Sequence, residues 1–86
     1  MGALKWRVTH VVFYTRAGCH LCDDARAIVE EVRTRKPFSL TFVDLDVDAA
    51  AREKYWDKIP VVEVDGRLHA KYRVDAQAFE RRLDAA

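Results

Sequence analysis

The chain has 86 residues, of which 50% are apolar by a wide count, 10% aromatic and 34% charged, which suits one small domain with a hydrophobic core. Fifteen basic residues against 14 acidic ones leave a net charge of +1, so neither a basic nucleic-acid-binding arm nor an acidic disordered tail is expected. No apolar run approaches the roughly 18 residues of a membrane span, and two cysteines are too few for a disulfide scaffold.

The start, Met1-Gly2-Ala3-Leu4-Lys5-Trp6-Arg7, leads into an apolar stretch too short and interrupted for a secretory h-region. Trp6 stands where a myristoylation signal needs Ser or Thr. A soluble, cytoplasmic protein with no membrane association is expected. Val8 to Tyr14 is β-branched and aromatic and nearly all apolar, which predicts a strand buried on both faces. Thr15-Arg16-Ala17-Gly18 breaks it. From Leu21 the pattern turns helical, with Leu21, Ala25, Ile28, Val29 and Val32 on one stripe and most charged residues opposite. Asp23 and Asp24 suit the helix start, Arg33, Arg35 and Lys36 its end, and Pro37 stops it.

Ser39 to Leu45 reads as the second strand, Asp46-Val47-Asp48 as a turn with a helix cap, and Ala49 to Trp56 as a short helix. After the loop Asp57-Lys58-Ile59-Pro60, strands Val61 to Val64 and Arg67 to Ala70 are joined by a tight hairpin turn at Asp65-Gly66. Ala76, Phe79 and Leu83 mark a last helix. The order β-α-β-α-β-β-α belongs to the α/β class, with a parallel pair from the crossover and antiparallel strands from the hairpin. There is no internal repeat or linker.

Cys19-His20-Leu21-Cys22 falls where the first strand gives way to the first helix. Two cysteines three apart on a first helical turn can close a disulfide. Free backbone N–H groups and the positive helix end favour a thiolate at the first of them. The thiolate is the attacking species in disulfide exchange, and Gly18 leaves room for another chain to approach Cys19. A CxxC beside a βαβ pattern is a redox signal. Two other readings compete. A zinc half-site would need two more ligands, and His10, His20 and His69 lack a ligand spacing. The pair could also be structural core. Haem attachment fails because Asp23, not His, follows Cys22. Asp44, Asp46 and Asp48 alternate like calcium ligands, but the Gly and Glu of a calcium loop are missing. No metal or organic cofactor is expected.

Phe13-Tyr14-Thr15-Arg16-Ala17-Gly18-Cys19-His20-Leu21-Cys22, Val43-Asp44-Leu45-Asp46, Ile59-Pro60-Val61 and Val64-Asp65-Gly66 together resemble the glutaredoxin-like branch of the thioredoxin superfamily. The resemblance implies a thioredoxin fold, a four-stranded mixed sheet with flanking helices, as a single domain over residues 1–86. It further implies a thiol–disulfide oxidoreductase with a cis Ile59–Pro60 bond beside the CxxC. Cys19 is then the exposed nucleophile and Cys22 the more buried resolving thiol, with Arg16, Gly18, His20, Ile59 and Pro60 about the substrate. Arg16 and a protonated His20 favour a Cys19 thiolate, whereas Asp23 and Asp24 oppose it, so a moderately lowered Cys19 pKa is expected. Trp56 is placed beside the site or in packing.

The departures are informative. Phe13 stands six residues before Cys19, where thioredoxins usually carry a buried acid, and Trp-Cys-Gly-Pro-Cys is absent. Cys-His-Leu-Cys also differs from the common glutaredoxin Cys-Pro-Tyr-Cys. Ala70-Lys71 stands at the Gly-Gly place of glutathione-binding glutaredoxins, where Lys71 would obstruct the ligand, and Asp75 comes one residue late. Tyr72-Arg73-Val74-Asp75 is similar to the Phe-Arg-Pro-Asp of small redoxins that serve ribonucleotide reductase and draw electrons from thioredoxin reductase. The expected partners are a disulfide-containing protein or small disulfide, with glutathione, another low-molecular-weight thiol or a reductase as electron source. Nucleic acid is not expected as a partner, and the chain is expected to be a monomer. Lys58, Arg67, Lys71 and Arg73 are expected to form a basic patch at the partner face.

Overall fold

The computed structural model describes residues 8–86, and the expectations for residues 1–7 lie outside them. Strand β1 (His10–Thr15), helix α1 (His20–Arg33), β2 (Ser39–Asp44), α2 (Ala49–Tyr55), β3 (Val61–Val64), β4 (Arg67–Lys71) and α3 (Ala76–Asp84) follow in the expected order. The four strands form one sheet in the order β2-β1-β3-β4. The α1 crossover makes β1 and β2 parallel, with Phe13 beside Phe42. β3 runs antiparallel to β1, with Val61 opposite Tyr14, and the hairpin sets β4 antiparallel to β3. This is the mixed sheet of a thioredoxin fold.

Strand alternation divides the core in two. On one face Val11, Phe13, Val62 and Val64 pack with Cys22, Ala25, Val29 and Val32 of α1 and Phe79 of α3. On the other, Val61 packs with Leu45 and with Ala51 and Tyr55 of α2. With helices on both faces and strands on both sides, all of β3 is buried. Asp48 and Asp75 cap α2 and α3 by accepting from the backbone N–H of Ala51 and Ala78, at 3.0 and 2.8 Å. Among the described residues, no helix is long and apolar enough to cross a membrane.

Four expectations are corrected. Val8 lies outside β1 and is exposed, and within β1 only Val11 and Phe13 are fully buried, because Val12 and Tyr14 face the thinner α2 layer. α2 ends at Tyr55, and Trp56 is its C-cap, 62% exposed rather than packed. Leu21 is 57% exposed. Helix α1 begins at His20, and its buried face runs Cys22, Ala25, Val29, Val32, so Cys22 takes the place that Leu21 was expected to fill. The basic patch does not form as one. The Asp65–Gly66 turn is tied to the start of β1, with the Asp65 N–H donating to the His10 carbonyl at 2.8 Å. Arg67 therefore lies at that end of the sheet, and Lys71, four residues on, is about 13 Å away along an extended strand.

Candidate functional site

Cys19 is the N-cap of α1, in extended conformation at φ −92°. Its Sγ accepts the Cys22 backbone N–H at 3.1 Å, and its carbonyl accepts the Asp23 N–H at 3.1 Å. A cap residue at that position places its side chain over the free N–H groups of the first turn. One turn on, Cys22 points into the core and is 1% exposed, whereas Cys19 is partly exposed. The two are joined as a disulfide, with Cα atoms 5.2 Å apart. The Cys22 N–H is thus placed as a hydrogen-bond donor to the Cys19 sulfur.

Gly18 is held at φ +80°. A Cβ there would meet no protein atom within 4 Å, so the requirement for glycine is conformational. Gly18→Ala is therefore expected to cost about 1 kcal/mol from the left-handed backbone alone. A urea unfolding curve unchanged from the parent would refute this.

Arg16 leaves the end of β1 and pairs through Nη2 with Asp46 Oδ1 at 2.6 Å. Both groups are solvent-exposed, so the pair contributes little to stability, but it gives the guanidinium a resident anion. His20 is exposed at the first residue of α1. The Ile59–Pro60 peptide is cis, and Pro60 is fully buried. Because Val61 sits opposite Tyr14, Ile59 and Pro60 lie beside the end of β1 that leads to Cys19. Ile59 and Cys19 pack partly buried against the same core cluster.

His10 and His69 do not join His20 at the pair. The His10 ring bonds to Ser39 Oγ at 2.6 Å, and the His69 ring lies 5.7 Å from that of Phe79, where burial lowers its pKa. Among the described residues, no three of His, Cys, Asp and Glu come together as a metal site.

Two features near the site were not anticipated. Tyr72, just past β4, has φ +74°, and its N–H donates to the Pro60 and Lys58 carbonyls at 2.8 and 3.2 Å. Glu63 of β3 is 8% exposed, with its carboxylate accepting from Tyr14 Oη at 2.9 Å and Tyr55 Oη at 2.6 Å. A lone charged residue inside an apolar strand was the available signal for the second. The first had no local signal, because tyrosine does not favour a left-handed backbone.

Residues 10–84 match the family described as Glutaredoxin-like domain (DUF836). The chain belongs to this glutaredoxin-like family. An uncharacterized protein of Mycobacterium tuberculosis is 35% identical over 80 residues, covering 87% of this chain and 78% of its relative. A glutaredoxin-like protein of Dictyostelium discoideum is 31% identical, with 83% and 71% covered. Among solved structures, a structural genomics target from X. campestris is 32% identical, with 88% and 97% covered and a TM-score of 0.73. A thioredoxin from Halobacterium salinarum reaches a TM-score of 0.70 at 16% identity over 90% of this chain and 73% of its own, which shows the shared fold alone. The paired cysteines at a helix start, on a thioredoxin fold, support a redox role for this glutaredoxin-like protein.

Proposed function

We propose that this glutaredoxin-like protein is a dithiol thiol–disulfide oxidoreductase in which Cys19 attacks and Cys22 resolves. The supporting observation is the asymmetry of the pair: Cys19 partly exposed over the helix N-terminus, Cys22 buried one turn behind. In the reduced protein the Cys19 thiolate attacks one sulfur of a substrate disulfide. A Cys19–substrate disulfide forms as the substrate bond breaks, and the departing sulfur leaves as a thiolate that takes up a proton. Cys22, once deprotonated, attacks Cys19 Sγ and releases the second substrate thiol. Two electrons pass to the substrate, and the Cys19–Cys22 disulfide remains.

Return to the dithiol needs a low-molecular-weight thiol such as glutathione or a reductase of the thioredoxin reductase type. In this reading the substrate is a disulfide-bearing protein or small disulfide in the cytoplasm, met over Gly18 and beside Ile59–Pro60. Arg16 is a weaker recruiter of anions than its position suggests, because Asp46 already pairs with it.

Titration of the purified protein in thiol–disulfide buffers, read by alkylation mass shift, tests the reading. One two-electron transition involving Cys19 and Cys22 is expected, with a midpoint inside the roughly −270 to −120 mV range of thioredoxin-fold dithiols. Thiols that stay free across the whole buffer range would overturn it.

A further inference from the structure

We propose that β2 is a self-association edge, through which two copies of this chain join their four-stranded sheets into one. The strands pair antiparallel, Leu40 of each copy opposite Phe42 of the other, about a two-fold axis at Thr41. Such a dimer is independent of the redox reading. It replaces the monomer expected from sequence, which does not show that β2 is an edge.

The strand order leaves β2 and β4 at the two sides of the sheet. β4 is blunted: its pairing is broken by a register shift at Val62 and Glu63, and Arg67 and Lys71 stand at its ends. β2 has no such protection. Its six residues, Ser-Leu-Thr-Phe-Val-Asp, include no Pro, Lys or Arg and pair with β1 without a shift. The Ser39 and Leu45 N–H groups donate to the Thr9 and Thr15 carbonyls, both at 2.9 Å. A parallel ladder alternates, so the odd-numbered residues bond to β1 and the even-numbered ones turn N–H and C=O away from it. At the margins the outward carbonyls are already taken. That of Phe38 accepts from Arg33 Nε at 3.0 Å, and that of Asp44 from the Val47 and Asp48 N–H groups at 3.0 and 2.9 Å. Leu40 and Phe42 lie between them, and among the described residues no strand runs along that side.

A bare edge accepts any extended chain, but the surroundings of this one match a second copy. Pairing Leu40 with Phe42 of the second copy, on both sides of the axis, brings every open donor to an open acceptor. Centred on Phe42 instead, the axis would set Leu40 against the occupied Asp44 carbonyl. Centred on Leu40, it would set Phe42 against the occupied Phe38 carbonyl. On the α1 side the pairing lays the exposed Phe42 ring beside Leu40 of the second copy. Charge follows the same axis. The Arg26 guanidinium lies 4.3 Å from the Phe42 ring centre and pairs with Glu30 at 2.7 Å. In the crossover α1 runs opposite to β2, so Glu30, about 6 Å further along the helix, stands over Leu40, about 7 Å back along the strand. Leu40 of one copy faces Phe42 of the other, so each Arg26 meets the Glu30 of the second copy. A cleft of about 520 Å³ lined by Arg26, Glu30, Leu40 and Phe42 leaves room for this contact. Because β1 is parallel to β2, the axis sends the two cysteine pairs to opposite ends of the joined sheet, and both stay open.

Sedimentation equilibrium of the reduced protein, in which no disulfide can join the copies, tests the dimer. The interface is small, so the mass is expected to rise from that of one chain towards that of two between about 10 μM and about 1 mM. Thr41 is exposed on the α2 side and faces itself across the axis. Thr41→Lys and Thr41→Glu should each weaken the dimer about tenfold or more by like-charge repulsion, with melting temperatures close to that of the parent. Their equimolar mixture should recover it as a heterodimer. Amide exchange at Leu40 and Phe42 should slow as the parent dimer forms. One-chain mass across the whole range would overturn the proposal, as would a dimer that both Thr41 variants retain or a mixture that stays monomeric. Leu40 and Phe42 amides already protected in the dilute monomer would also overturn it and assign the edge to another segment of the same chain. None of these outcomes bears on the roles of Cys19 and Cys22.

Discussion

Cys22→Ser protein, reduced and offered an excess of a disulfide substrate, is expected to stop at a mixed disulfide on Cys19, while Cys19→Ser forms no adduct and turns over nothing. The geometry makes the two cysteines unequal. Cys22 is 1% exposed beneath the first turn of α1, so an incoming disulfide reaches Cys19 first. Serine at 19 keeps the helix cap but offers a hydroxyl that is not ionised near neutral pH. The loss in kcat/KM should be on the order of 10³-fold or more. Serine at 22 keeps the nucleophile and removes the second step. The 5.2 Å between the two Cα atoms lies inside the usual range for a disulfide, roughly 4.4–6.8 Å, so resolution in the parent needs no large backbone movement. Intact-mass spectrometry with peptide mapping reads both results. External thiol in excess should clear the adduct and restore part of the turnover on small disulfides. An adduct mapped to Cys22 in the Cys19→Ser protein would reverse the assigned roles.

Why the site could be read in advance while parts of its surroundings could not is a matter of range. The CxxC, the break at Gly18 and the hairpin at Asp65–Gly66 are local signals, each decided by a few adjacent residues. Asp65 and Gly66 adopt φ +50° and +80°, as a two-residue hairpin turn requires. An apolar stripe that leaves out cysteine points Leu21 inward, but the buried face runs through Cys22. Each helical residue advances the face by about 100°, and once Cys22 is buried Leu21 must swing outward. Phe42, on the edge strand β2, is 40% exposed, yet its ring lies edge-on to Phe13 at 5.7 Å and under the Arg26 guanidinium at 4.3 Å. Composition does not reveal a contact made across strands and a helix. The surroundings of Glu63 are equally non-local, since one of its tyrosine partners is 49 residues away in the chain.

Glu63→Ala is expected to destabilise the fold by about 3 kcal/mol, because a buried carboxylate that accepts two hydroxyls is removed and both donors are left without a partner. Glu63→Gln should cost less, since its amide oxygen still accepts one of them. Tyr55→Phe should approach the loss of one charge-assisted bond, roughly 1.5–3 kcal/mol, and Tyr14→Phe less, because Tyr14 is only half-buried. Lys54 is a control. Its Nζ is 3.9 Å from Glu63 Oε2 on a largely exposed side chain, so Lys54→Met should change stability by less than about 1 kcal/mol. Alkaline pH probes the same cluster. Burial first, and the bonds to Glu63 second, push the Tyr55 hydroxyl up to about 12 and raise that of Tyr14 above its ordinary value. The fold favours the neutral hydroxyls. Their contribution is full below the ordinary tyrosine value of 10.0 and is lost as pH climbs through about 12 for Tyr55. Stability should therefore fall between about pH 10 and 12, and tyrosinate absorbance should rise with that fall. In Glu63→Gln the midpoint should move down yet stay above 10.0, because burial, the larger cause, remains. A midpoint unmoved by the substitution would show that the carboxylate does not hold these hydroxyls. The cluster joins α2 to β1, which leads to Cys19, and to β3, which follows Pro60. Thermal inactivation of disulfide turnover should then track the loss of stability through Glu63→Gln and Glu63→Ala, in that order.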